Sequence, residues 1–358
     1  MKSQSSPRLA SLDILRGFDL FLLLFFQPVL CAVLSKVDAP WSAAILYHFD
    51  HEVWNGFRFW DIIMPLFLFM SGASMPFSFS MLRREKPLGY IYRKVLRRFV
   101  LLFLLGMVVQ GNLLGFDLQH IYIYTNTLQA IGTGYLFSAI IILNLRFGYQ
   151  VLAAFLLLVV YSLPFLISGE YGPEVNFATK VDIIVLGRFA GDPTYTWVWS
   201  SLTFTVTVLF GTFAGQIIKQ YKDRKEYASR ILFACGVVLV IIALITSLVM
   251  PVNKRIWSAS MTLLSGGYCF LLMWLFFYWI DCRGHHRGLE WLKIYGMNSI
   301  AAYMIGEVVN FRSIAYSLSY GLESYLGGYY PAWITFFNFS IVFGILHYMY
   351  SHKIFLKI

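Results

Sequence analysis

Read from its N-terminus, the chain is a succession of long apolar runs separated by short polar stretches. A helix needs about 20 mostly apolar residues to cross a bilayer. Runs of that kind predict spans near 13–35, 58–82, 95–111, 126–145, 149–168, 196–218, 230–250, 256–280, 295–315 and 331–352. The expected fold class is an all-α integral membrane protein, a bundle of about ten transmembrane helices making one domain over 1–358. No tandem repeat, low-complexity tract or soluble domain interrupts the pattern. The longest linker, 169–195, holds Pro173 and Pro193 and reads as an extramembrane loop.

Composition agrees with the pattern. Of 358 residues, 59% are hydrophobic and 13% charged, and the mean hydropathy is +0.67. A soluble domain carries far more charge. The first ten residues are polar, and the apolar run that follows is too long for the core of a cleavable signal peptide. Cys31, Cys235, Cys269 and Cys282 have neither metal nor disulfide spacing and read as structural.

The net charge of +10 lies in short loops, which argues for topology and against a nucleic-acid surface. Segment 83–98 holds seven basic residues, Arg83, Arg84, Lys86, Arg93, Lys94, Arg97 and Arg98, against Glu85. Segment 219–230 holds Lys219, Lys222, Arg224, Lys225 and Arg230. With ten spans these lie on one side. The other side has only Lys36, Arg58, Lys180, Arg188, Lys254, Arg255 and Arg312 of the chain's 28 basic residues. The excess places both termini in the cytoplasm and His51 outside.

Two stretches put charge where it is expensive. In "SLDILRGFDLF", Asp13, Arg16 and Asp19 recur every three residues near one helix face, so Arg16 can pair with either acid. The pair either fixes helix packing or marks a mouth that receives an anionic ligand. In "HFDHEVWNGFRFWDIIMPLFLFMSG", His51, Asn55 and Arg58 have helical spacing, and Asp61 follows inside the apolar run. A lone interfacial histidine is ordinary. A carboxylate this deep is costly unless paired or wet. A histidine and a carboxylate within reach of one cavity are the parts of a general-base site.

Further polar positions flank these. Asn126, Gln129 and Thr133 stripe one face of the fourth span, a pattern that suits interhelical glue. Asn253 and Lys254 stand at the outer mouth of the eighth, in "PVNKRIW", with Trp257 at its end. Asn298, Ser299, Tyr303 and Glu307 occur in the ninth, with Glu307 a further candidate buried carboxylate.

Taken in order, "SLDILRGF", "HEVWNGFRFWDIIMPLFLFMSG", "TLQAIGTGY", "PVNKRIWSASMTLLSGG" and "GMNSIAAYMIGE" resemble the heparan-α-glucosaminide N-acetyltransferase family, in its bacterial form, over roughly 11–310. The H-x-x-W-x-G-x-x-x-x-D-x-x-x-P and N-K-x-x-W segments together carry the resemblance. It implies a membrane enzyme of ten or eleven helices in a bacterial inner membrane, without the family's extra N-terminal luminal region. Acetyl-CoA would be the cytoplasmic acetyl donor, with no metal. An amino sugar or other glycan on the outer side would be the acceptor, membrane lipid the surroundings, and a homodimer a compatible assembly. The resemblance places the active-site histidine on His51 and its acidic partner on Asp61.

Arg16, Gln27, Asn55, Gln129, Lys254, Trp257, Asn298, Ser299 and Glu307 complete the candidate substrate and donor contacts. Three positions depart from the family pattern. Gln27 stands where Asn is common, Ala130 replaces Arg after Leu128-Gln129, and "GDPTYTW" replaces an acidic-Pro-Glu-Gly turn. His51 acts either as general base or as acetyl carrier, with Asn55, Gln27 or Asn298 as oxyanion donors. The rival reading is a proton-coupled transporter using Asp13, Asp19, Asp61 and Glu307. Such transporters commonly carry an internal repeat, and this chain shows none.

Overall fold

The computed structural model describes residues 9–192 and 194–356; Pro193 and most of the polar N-terminal stretch lie outside the described residues. The helices, in chain order, are α1 (Ala10–Leu34), α2 (Pro40–His48), α3 (Phe59–Glu85), α4 (Leu88–Val109), α5 (Thr127–Asn144), α6 (Phe147–Ser168) and α7 (Phe177–Leu186). There follow α8 (Ser201–Gln220), α9 (Lys225–Ser247), α10 (Ala259–Cys282), α11 (Leu292–Met297), α12 (Ser299–Val308), α13 (Arg312–Ser319) and α14 (Tyr330–Ser351). No strand occurs among the described residues.

Eight runs are long and apolar enough to cross a membrane by length and composition. They are α1, α3, α5, α6, α8, α9, α10 and the Arg312–Ser351 run that holds α13 and α14. Two of the expected spans are not among them. α4 is 22 residues long but carries Arg93, Lys94, Arg97 and Arg98. The run at 295–315 is broken at Asn298, which leaves the helical conformation between α11 and α12, and again after Val308. The linker at 169–195 is not all loop. Asn176 caps α7 inside it, its Oδ1 accepting the Thr179 backbone N–H at 2.9 Å.

The residues gather into two compact units. One contains the described residues up to Asp50 and from Leu272 onward; the other is His51–Leu271.

In the His51–Leu271 unit, α8 packs against α3 and α5. Small residues set the approach. A Cβ added to Gly72 would stand 1.9 Å from the Val208 carbonyl oxygen, and one on Gly211 would stand 1.8 Å from that of Phe69. The two backbones therefore touch along α3 and α8. A second core in this unit joins Tyr161, Phe165, Ala178, Met250, Ile256 and Ala259. It ties α6 and α7 to the loop before α10.

In the other unit, α1 lies against α11 through an equivalent glycine pair. Cβ atoms on Gly17 and Gly296 would stand 1.8 and 2.1 Å from the carbonyl oxygens of Leu292 and Asp13. Arg16 takes Asp13 as its partner, at 3.9 Å. Asp19 is fully buried, and its carboxylate oxygens have no hydrogen-bond partner among the described residues. The Ser11 backbone N–H donates to Asp281 Oδ2 at 3.1 Å, joining the start of α1 to the end of α10.

Candidate active site

His51–Arg58 is a loop, not the first turns of a helix, so the helical spacing of His51, Asn55 and Arg58 does not make a shared face. Gly56 has φ +136°, a backbone state that other residues rarely adopt, and Arg58 is extended at φ −107°, ψ 164°. The helix begins at Phe59 because Asp61 caps it. The Asp61 carboxylate accepts the Arg58 backbone N–H at 2.9 Å through Oδ2. The same oxygen accepts the Glu52 backbone N–H at 3.3 Å. Across the loop, Arg58 Nε donates to Glu52 Oε2 at 2.9 Å, and the Gly56 N–H donates to the Val252 carbonyl at 2.8 Å. Trp54 Nε1 fixes the outer edge on the Tyr171 carbonyl at 2.8 Å.

This folding leaves the other Asp61 oxygen for side chains. Oδ1 lies 2.9 Å from His51 Nδ1 and 3.4 Å from Lys254 Nζ. Lys254 Nζ is also 2.8 Å from His51 Nδ1 and 3.3 Å from Nε2. Asp61 is fully buried and Lys254 nearly so, whereas the His51 side chain is 38% exposed. The cluster thus has a buried ionic floor and one ring open to its surroundings. Burial pushes the Lys254 ammonium down to about 8, against the pull of the Asp61 carboxylate.

Lys254 is held by the loop between α9 and α10. Asn253 organises that loop: its Oδ1 accepts the backbone N–H groups of Arg255 at 2.9 Å and Ile256 at 3.2 Å. Its own N–H donates to Ser258 Oγ at 3.0 Å, and its amide donates to Asn55 Oδ1 at 3.3 Å. Trp257 is buried with φ +52°, its Nε1 donating to Thr207 Oγ1 at 3.3 Å on α8.

A second layer holds the loop from behind. The Thr196 N–H donates to the Arg255 carbonyl at 3.0 Å, and Ser200 Oγ donates to the Ile256 carbonyl at 3.0 Å, as does the Tyr161 hydroxyl. Arg255 Nη1 donates to Thr194 Oγ1 at 2.6 Å. The 194–200 segment is anchored by Asp182 on α7, which accepts the N–H groups of Trp197 at 2.7 Å and Val198 at 2.9 Å. Burial raises the Asp182 carboxyl to about 6, against those backbone hydrogen bonds. No sequence motif marks Asp182, and Asn253 stands out in the sequence only at the outer mouth of the eighth span and in the N-K-x-x-W segment, not as the residue that organises the loop.

The remaining candidates separate. Gln129 is buried, and its amide is engaged within the protein: Oε1 accepts the N–H groups of Thr125 and Asn126, and Nε2 donates to the carbonyls of Ile123 and Phe103. It closes the capping box that starts α5. Arg16, Gln27, Asn298, Ser299 and Glu307 belong to the other unit. There Gln27 Nε2 donates to the Phe49 carbonyl at 3.1 Å, beside a cavity of about 400 Å³ that Cys31 and Asp50 also line. The Asn298 amide binds the chain end, donating to the Ile354 carbonyl at 2.9 Å and accepting the Leu356 N–H at 3.1 Å. Ser299 opens α12. Glu307, expected to be buried, is exposed.

Comparison with known proteins gives this geometry a family. The sequence profile described as heparan-alpha-glucosaminide N-acetyltransferase, catalytic, matches residues 8–246, which include His51 and Asp61 but stop short of Lys254. The human protein named heparan-alpha-glucosaminide N-acetyltransferase is 24% identical over 370 aligned residues, covering 84% of this chain and 53% of its own length. The mouse protein of that name is 23% identical over 376, covering 86% and 54%. The chain thus spans about half the length of these curated relatives. Because the profile match takes in most of the chain, including the loop and helix start that bring His51 to Asp61, the chain belongs to the heparan-alpha-glucosaminide N-acetyltransferase catalytic family.

Proposed function

We propose that the protein is a transmembrane acetyltransferase. It moves acetyl from cytoplasmic acetyl-CoA to an amino sugar or other glycan on the far side of the membrane, and it resides in a bacterial inner membrane. The observation that carries this reading is the contact of a half-exposed His51 with a fully buried Asp61 at 2.9 Å, in a chain of this family.

His51 is the general base. A carboxylate at Nδ1 favours the tautomer with its proton there, leaving Nε2 to accept one. The acceptor amine attacks the thioester carbonyl carbon, forming the C–N bond, and its proton passes to Nε2. The tetrahedral oxyanion then collapses, the C–S bond breaks, and the imidazolium returns the proton to the CoA thiolate. Asp61 stabilises the transient imidazolium. Direct transfer needs no stable acetyl-imidazole on a ring that is open to its surroundings. A hydroxyl acceptor would follow the same path.

The test uses purified protein, radiolabelled acetyl-CoA and a panel of amino sugars including glucosamine, with His51→Ala alongside. Acetylated sugar from the wild type alone supports the reading. Folded wild-type protein that neither binds acetyl-CoA nor acetylates any acceptor would overturn it and favour the transporter.

A further inference from the structure

A cleft of about 490 Å³ lies in the His51–Leu271 unit, away from His51, where the ends of α3, α5 and α8 meet the start of α6. Arg83 and Lys219 line it as exposed side chains, and buried Gln150 and half-buried Gln216 form a polar floor. The floor is fixed: Gln216 Nε2 donates to Gln150 Oε1 at 2.8 Å, and Gln150 Nε2 donates to the Leu145 carbonyl at 2.8 Å. Phe79, Ile142 and Leu145 supply apolar surface, and Leu145 is 40% exposed at the edge.

The two cations are underused. Arg83 Nη2 donates to the Leu143 carbonyl at 2.5 Å and Lys219 Nζ to the Pro76 carbonyl at 3.1 Å. A guanidinium has five N–H donors and an ammonium three. Neither residue forms an ion pair among the described residues, and no carboxylate lines the cleft. Arg84 adds positive charge within electrostatic reach of Lys219. With donors to spare after these carbonyl contacts, the two cations offer charged hydrogen bonds to a tetrahedral anion in the cleft. The apolar wall beside them suits an amphiphile rather than a small ion. The charge rule places this end of the helices at the cytoplasmic interface, where basic pockets between helices take lipid headgroups.

We propose that this cleft binds an anionic phospholipid, its phosphate held by Arg83 and Lys219 and the upper part of its chains laid against Phe79, Ile142 and Leu145. The site is independent of acetyl transfer.

The test is native mass spectrometry of the full chain, delipidated in detergent and titrated with phosphatidylglycerol, phosphatidylcholine or phosphate-free diacylglycerol. Three proteins are compared: wild type, the double variant Arg83→Gln/Lys219→Gln, and the control Arg93→Gln/Lys94→Gln, which removes equal charge from the same basic segment outside the cleft. The expected result is one phosphatidylglycerol retained by wild type and by the control, with affinity about tenfold lower in the cleft variant, the effect of losing a charge-assisted contact. Diacylglycerol should not bind in its place. Because the cleft variant could lose its fold, the diacylglycerol arm on wild type stands alone: equal retention of diacylglycerol overturns a phosphate site. Equal loss in the control and cleft variants would mean general surface charge and would also overturn it. Displacement of the lipid by millimolar inorganic phosphate would reassign the site to a soluble phosphate.

Discussion

Lys254 Nζ stands 2.8 Å from His51 Nδ1 and 3.3 Å from Nε2. A point that close to both ring nitrogens cannot lie along either in-plane lone pair, so the amine sits over the ring. The in-plane direction at Nδ1 is left to Asp61 Oδ1, at 2.9 Å. His51 therefore feels two opposed charges, a carboxylate that favours the imidazolium and an ammonium that disfavours it.

Replacing Lys254 with Met removes the disfavouring charge and fills its volume. Asp61 keeps His51 and two backbone N–H donors, so the cluster is not left bare. The acidic limb of the pH profile of kcat/KM should move to higher pH, because removing a neighbouring positive charge lets the base hold its proton more tightly. A profile measured from pH 5 to 8 on both proteins checks this. An unmoved limb would mean that Lys254 does not govern the base.

Asp61→Asn has a defined chemical consequence. Oδ2 accepts the backbone N–H groups of Glu52 and Arg58, so the amide oxygen of Asn must take that place. The amide nitrogen is then turned to His51 and donates to Nδ1. The ring proton is driven to Nε2, and the base is lost. The expected loss is about 10²–10⁴-fold in kcat with little change in KM for acetyl-CoA. A loss confined to KM would place Asp61 in binding rather than in base catalysis.

The sequence pattern made the long helices legible because a bilayer demands local apolar length. It also paired His51 with Asp61, since a deep carboxylate needs a partner. What it missed is non-local. Lys254 lies 203 positions from His51, and spacing along the chain placed it only at an outer mouth. The breaks around Asn298 and the loop at 51–58 depend on hydrogen bonds to Ile354, Leu356 and Asp61, which compete with the helical pattern. Gln129 stood in a polar stripe and among the candidate contacts, yet its amide is absorbed by the start of α5.

The glycine contact between α3 and α8 gives a stability prediction. Gly211→Ala puts a methyl 1.8 Å from the Phe69 carbonyl oxygen, in backbone that cannot give way without moving a helix. The cost should be about 1–3 kcal/mol, read as a lower Tm in detergent. Gly344→Ala on α14, which meets nothing within 4 Å, should leave Tm unchanged or raise it slightly. Equal effects at both positions would remove close helix approach as the reason for Gly211.

Asp182 predicts a pH dependence of stability with a definite sign. Its carboxyl is raised from an ordinary 3.8 to about 6 in the fold. Between those values the folded protein binds a proton that the unfolded chain does not, so stability falls as pH rises through that window. The Asp182 contribution is complete below about 4 and lost above about 6. Asp182→Asn cannot titrate. The difference in Tm between wild type and Asp182→Asn should therefore grow in favour of wild type as pH falls from 7.5 to 4.5. Parallel thermal scans of both proteins over that range measure it. Because Asp182 anchors the 194–200 segment behind Lys254, the variant should also lose acetyl transfer at pH 7 while retaining acetyl-CoA binding. A constant Tm difference would mean that Asp182 is ionised throughout, and that its backbone hydrogen bonds outweigh its burial.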